Sequence, residues 1–160
     1  MISKEDLISL FQKEFSTTLK VMRAYPSQQM QFAPHERSQP AKRLMATFIF
    51  EMYLLRLNIL GEAVDRSAFQ QYRKETLDEL IADFETETSA VMSHLERLTQ
   101  QDLQRTVQFA GATFPADRFA LMMLFDQIHH RGQLSVYIRL AGGKVPSIYG
   151  PSADDSSTNF

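Results

Sequence analysis

The chain has 160 residues, a formal net charge of -2 and a sequence pI near 6.1. That length suits one domain with a real core, and that charge offers no net attraction to nucleic acid or anionic lipid. The chain has no cysteine, which excludes disulfides, thiolate metal ligands and a cysteine nucleophile, and leaves any thiol chemistry to a co-substrate.

The opening Met1-Ile2-Ser3-Lys4-Glu5-Asp6 lacks the basic-then-apolar layout of a secretion signal. The longest apolar stretches, such as Phe119 to Phe125, fall short of the roughly 20 residues a bilayer span needs. A cytoplasmic protein with no membrane segment and no nucleic-acid partner is expected.

The first predicted helix opens with Ser3 as N-cap and Asp6 at the reciprocal capping position. Leu7, Ile8, Phe11, Phe15, Leu19 and Met22 recur at steps of three and four and share one face. Tyr25-Pro26 stops it, and the polar residues from 26 to 39 read as a long surface connection. The second helix starts near Pro40 and runs to about Leu60, with Gly61 as its stop. The third starts at Thr76, with Glu79 completing a capping box. It is followed by a linker through Val107, Phe109, Gly111 and Phe114 with a little extended structure. The fourth runs from about Ala116 to Ala141 and ends at Gly142-Gly143. Long amphipathic helices without alternating strand patterns pack as an all-α four-helix bundle. Residues 1–150 form the single domain, and residues 151–160, small and polar, a flexible tail.

Two helices carry polar residues where a core is expected. From Leu44 to Leu55 the second helix is apolar on almost every face, and Glu51 is its only ionisable residue in that run. Thr47 lies one turn before it on the same side. A carboxylate in such surroundings either faces a cavity or has a partner, because burying it alone would cost several kcal/mol. On the fourth helix Asp126 and His130 lie four apart and leave the same face, and Gln133 and Tyr137 continue that stripe. A carboxylate and an imidazole at this spacing either make a simple hydrogen bond or present two metal ligands, to which Glu51 from a facing helix would add a third. His129 points about 100° away from His130 and belongs to the site wall. Phe48, Met52 and Met122 are the apolar lining, with Thr47 beside them. Gly132, in the middle of a helix, is read as a packing residue.

The stretch from Ile128 to Asp154, IHHRGQLSVYIRLAGGKVPSIYGPSAD, resembles the final helix and tail of DinB-like proteins, also called the DinB/YfiT-like family. Pro34-His35-Glu36-Arg37-Ser38 is similar to that family's lead-in to its second helix. The resemblance implies a four-helix bundle holding a divalent metal on three histidines, one on the second helix and two lying four apart on the last. It also implies a homodimer and reactions such as thiol S-transfer or maleylpyruvate isomerisation, in which the metal activates a low-molecular-weight thiol. His130 matches the last ligand, whereas Asp126 and Thr47 stand where the other two histidines would be. The expected site is therefore rebuilt from Glu51, Asp126 and His130 around zinc, nickel, manganese or iron. Tyr137 and Gln133 would orient a small-molecule substrate in a transferase-like or hydrolase-like reaction. The alternative is a metal-free bundle that binds a small ligand or serves as a dimerisation module.

Overall fold

The computed structural model describes residues 2–63 and 65–154. Its four long helices are α1 (Lys4–Arg23), α2 (Ala41–Leu60), α3 (Leu77–Arg97) and α4 (Ala116–Leu140). The local signals read from sequence act at their ends. The Ser3 side chain accepts from the Asp6 amide at the start of α1. Thr76 and Glu79 form the reciprocal capping box of α3. Gly61 ends α2 in the left-handed conformation, at φ 74°, where a side chain would be strained.

Helix α1 packs against α3 and α4, and α2 packs against the same two helices. The first two helices therefore sit diagonally across the bundle, which explains why a long connection rather than a tight turn joins them. Phe11, Phe48, Phe84 and Phe119, one from each helix, are all fully buried in the centre. Aromatic edges interlock there: Phe15 lies edge-on to Phe11 at 5.2 Å and to Phe84 at 6.2 Å, an arrangement that adds to simple burial.

The expected extended linker is an antiparallel hairpin, β1 (Thr106–Phe109) and β2 (Ala112–Pro115), with Phe109 opposite Ala112. Its two-residue turn takes positive φ at Ala110 (50°) and Gly111 (81°), the geometry that suits the twist of a hairpin. Phe109 packs on Phe119 at 5.2 Å and so ties the hairpin to the first turn of α4.

Of the tail expected after Pro151, residues 151–154 lie against the bundle. Asp154 accepts from the Val145 amide at 3.0 Å and from Arg139 at 2.8 Å, and Ser152 is buried. Residues 155–160 of that tail lie outside the described residues. No helix among the described residues is long and apolar enough to cross a membrane.

Candidate metal centre

Glu51 sits in the middle of α2 on the face turned to α4, and α4 presents Asp126 and His130 back to it. One oxygen of Glu51 lies 3.3 Å from His130 Nε2, and Asp126 Oδ1 lies 3.7 Å from the same nitrogen. One ligand atom from each of the three residues falls within 4.8 Å of the other two. Glu51 is 4% exposed, yet neither of its oxygens makes a hydrogen bond; the contact to His130 is at ion-pair distance but off hydrogen-bonding geometry. An orphaned buried carboxylate is costly, so this one marks a place where a cation, a proton or a ligand belongs.

The surroundings shift both groups. Burial pushes the Glu51 carboxyl up to about 7, opposed by His130. The Glu51 carboxylate facing Nε2 pushes His130 up to about 9, opposed by desolvation and assisted by Gln133 and Asp126. Without an ion, the imidazole is the cation that balances the buried carboxylate.

Gln133 fixes the ring. Its Oε1 lies 3.1 Å from His130 Nδ1, and its amide nitrogen lies 3.0 Å from His129 Nε2. Assigning the amide this way makes Nδ1–H the donor, which leaves Nε2 as the atom turned to Glu51 and Asp126. His129 is exposed, with its ring 5.4 Å from that of His130, and it acts through Gln133 rather than among the three ligand atoms. Phe48 closes the inner wall, its ring 6.5 Å from the His130 ring; Met52 is fully buried on α2 and Met122 half-buried on α4. Asp126, half-exposed at its side chain, is the open side.

Two residues go elsewhere. The Tyr137 hydroxyl donates to the Gln39 carbonyl at 3.0 Å, and its ring lies edge-on to Phe32 at 6.2 Å. Tyr137 thus anchors the connection before α2, two turns along α4 from His130. Thr47 donates to the Arg43 carbonyl of its own helix at 3.1 Å, which occupies the hydroxyl. Gly132 corrects the packing reading: it is exposed, and a Cβ there would meet nothing within 4 Å.

A second polar cluster was not read from sequence. Arg131 and Glu14, exposed by only 1% and 3%, form an ion pair at 2.7 Å between α4 and α1. Arg131 also donates to Thr18 at 3.3 Å, and the Tyr149 hydroxyl meets both Arg131 and Glu14. The signal was available. Positions 7, 11, 14, 18 and 21 of α1 follow core spacing, so Glu14 and Thr18 fall on the buried face. A groove of about 420 Å³ between α1 and α3, lined by Phe15, Phe84 and Met92, contains none of the three candidate ligands. The three titratable groups converge between α2 and α4 instead.

The profile of the DinB family matches residues 1–159. The chain belongs to the DinB family. The uncharacterized protein YrdA of Bacillus subtilis is 33% identical over 88 residues, 54% of this chain and 53% of YrdA, so that match spans about half the relative's length. A crystal structure of a DinB-like protein from Bacillus cereus superposes with a TM-score of 0.79 at 19% identity, covering 91% of this chain and 97% of that one. The mycothiol-dependent maleylpyruvate isomerase superposes with a TM-score of 0.70 at 15% identity, over 83% of this chain and 61% of its own. At these identities the solved structures establish the DinB-like fold alone.

Proposed function

We propose that this DinB-family chain is a divalent-metal-dependent enzyme acting on a small molecule, with Glu51, Asp126 and His130 as the protein ligands. The observation that carries the reading is the buried Glu51 carboxylate, free of hydrogen bonds and turned to an imidazole nitrogen and a second carboxylate. Two oxygens and one nitrogen suit a hard or borderline ion, manganese or iron ahead of zinc or nickel. The separations of 3.3 and 3.7 Å to Nε2 are near the spacing of neighbouring ligands around such an ion, whose bonds to oxygen and nitrogen are about 2.0–2.2 Å. Bound there, the ion would act as a Lewis acid and lower the pKa of a coordinated water or thiol.

The chain's own groups do the rest. Gln133 holds the His130 ring, Phe48 and Met52 exclude water behind the ligands, and the exposed flank at Asp126 is where a substrate arrives. The chain supplies no thiol of its own. A low-molecular-weight thiol would be a co-substrate, in keeping with the mycothiol dependence of the structurally similar isomerase. Transfer to such a thiol or hydrolysis by activated water are the two reaction classes that suit this arrangement, in a cytoplasmic setting.

Elemental analysis of the purified protein, with melting curves in added Mn, Fe(II), Ni and Zn, tests the reading. Bound metal, or a rise in melting temperature that Asp126→Asn weakens by more than about 100-fold in affinity, is the expected result. No bound ion and no shift with any of the four would sink it.

One observation favours a second reading. Protonated His130 already balances Glu51, so the cluster could persist as a metal-free ion pair in a small-molecule-binding bundle. In that case Asp126→Asn leaves melting behaviour unchanged with or without ions.

A further inference from the structure

Two dibasic pairs far apart in the chain meet at one cavity. Lys42-Arg43 stands in the first turn of α2, behind its N-cap Pro40, and Arg73-Lys74 lies in the segment that leads into α3. Between them is a pocket of about 310 Å³, lined by Pro40, Lys42, Arg43, Arg73, Lys74 and Glu75. It shares no residue with the candidate metal centre. Four cations and one carboxylate therefore face the same space in a chain whose formal net charge is -2. Like charges brought together repel, so such a concentration is unfavourable unless anions are held among them.

The side chains show what is held and what is left over. Glu75 supplies one anion: both its oxygens accept from Lys42 Nζ, at 2.7 and 2.6 Å, and Gln31 donates to it at 3.4 Å. Its side chain is 71% exposed, so this is a surface ion pair of small net strength that a stronger anion can displace. Lys74 reaches Asp83 only at 3.7 Å. Arg43 and Arg73 pair with no carboxylate among the described residues. Both guanidinium groups are instead held against one ring, Phe69, at 6.0 and 5.2 Å from its centroid. Phe69 is fixed in turn on Phe50 of α2, at 5.0 Å. Stacking of this kind preorganises an arginine while its N–H fork stays available. The amides that open α2 are already taken, Ala41 by the Phe32 carbonyl and Lys42 by the Met30 carbonyl. An incoming anion would therefore meet side chains, with the positive end of the helix dipole adding to their field.

Charge identifies the ligand. One carboxylate is satisfied by Lys42, as Glu75 shows. Two guanidinium forks and a second ammonium suit a group with more charge and more oxygens, and a phosphomonoester carries about -1.5 to -2 at neutral pH on three acceptor oxygens. The volume leaves room for a small organic body beside the phosphate. The large apolar side chains left exposed among the described residues, Phe125, Val136, Leu140 and Tyr149, lie on α4 and after it. None belongs to the segments that line the pocket, so no apolar anchor seats it on a bilayer, and a soluble molecule fits better than a lipid headgroup.

We propose that this pocket binds the phosphate group of a soluble phosphomonoester, which displaces the Glu75 carboxylate and is held by Lys42, Arg43, Arg73 and Lys74. The proposal does not depend on the metal reading.

Amide chemical-shift titration of the full chain with glycerol 3-phosphate tests it, in EDTA and at about 0.15 M salt, where exposed charges are largely screened. Saturable shifts concentrated at residues 41–43 and 73–75 are expected, with a Kd below about 1 mM. The double variant Arg43→Gln, Arg73→Gln should raise that Kd at least about 10-fold. Lys13→Gln, Arg118→Gln removes the same charge from exposed positions on α1 and α4 and should leave it within about twofold. Glu75→Gln should tighten binding several-fold, because it removes the internal competitor, an outcome that a damaged fold could not produce. No saturable shift, equal weakening by the two double variants, or an unchanged Kd in Glu75→Gln overturns the proposal. So does citrate binding as tightly as glycerol 3-phosphate, which would make this a carboxylate site. Co-sedimentation with phosphatidic acid vesicles that the arginine variant abolishes would make it a headgroup site and overturns the proposal equally.

Discussion

Glu51 is the residue on which the functional reading turns, and it makes opposite demands on folding and on binding. A buried carboxylate without hydrogen bonds destabilises the metal-free chain, whereas the same carboxylate is a strong ligand. Glu51→Gln keeps the shape and removes the charge, and His130 can then lose its proton cheaply to the solvent it partly faces. The metal-free variant should gain about 1 kcal/mol, or about 2–4 °C in melting temperature for a chain of this size, while its response to added metal disappears. A metal-induced shift that survives in Glu51→Gln removes Glu51 from the ligand set. Arg131 and Glu14 present the structural counterpart. Arg131→Met strands a buried carboxylate and should cost about 3–5 kcal/mol, much of it restored when Glu14→Gln is added; urea midpoints of the single and double variants read this out. Glu51, Asp126 and His130 were legible because each interrupts or ends an apolar run at helical spacing. Glu14 was not, because one buried carboxylate among the exposed charges of α1 is distinguished only by its place on the stripe through Leu7, Phe11, Thr18 and Val21.

Helix ends were legible because their chemistry is local. Ser3, Thr76 and Gly61 act on backbone groups within a few residues, so sequence neighbours suffice to locate them. Thr76→Ala removes the acceptor for the Glu79 amide and the hydroxyl that Glu79 itself binds at 2.6 Å. It should lower stability by about 1 kcal/mol, visible as a drop in the urea midpoint with unchanged slope; no change would mean that water caps the helix equally well. What the spacing does not contain is which helix neighbours which. All four helices are apolar enough to pack in several orders, and the diagonal placement of α1 and α2 depends on long-range burial. With apolar residues on nearly every side of α4, periodicity could not separate the face that meets α1 and α2 from the exposed Phe125, Val136 and Leu140.

For the molecule as a whole, proton binding sets folding and metal binding against each other. Glu51 rises from its ordinary 4.5 to about 7, and His130 from 6.5 to about 9. Both folded values exceed the unfolded ones, so between about pH 4.5 and 9 the folded chain holds more protons than the unfolded chain. Stability from this pair is therefore fully present at the acid end of that window and is lost as pH rises through the two folded values. The carboxylates whose values are lowered, such as Asp102 and Asp154, act the other way, but only below about pH 5, where they titrate. His94, held below its ordinary value first by burial, opposes the trend near neutrality. The double variant Glu51→Gln, His130→Gln keeps all of these background groups, so its difference from wild type isolates the pair. In EDTA, the stability of wild type relative to this variant should fall steadily from about pH 6 to about pH 9. Metal affinity should climb over the same range, because each ion must displace the protons held by its ligands. Urea unfolding at three or four pH values, with and without manganese, measures both slopes. A relative stability of wild type that rises toward alkaline pH in EDTA would mean that the carboxylate and the imidazole do not share their protons as their distance implies, and the case for an ion between them would lose its electrostatic basis.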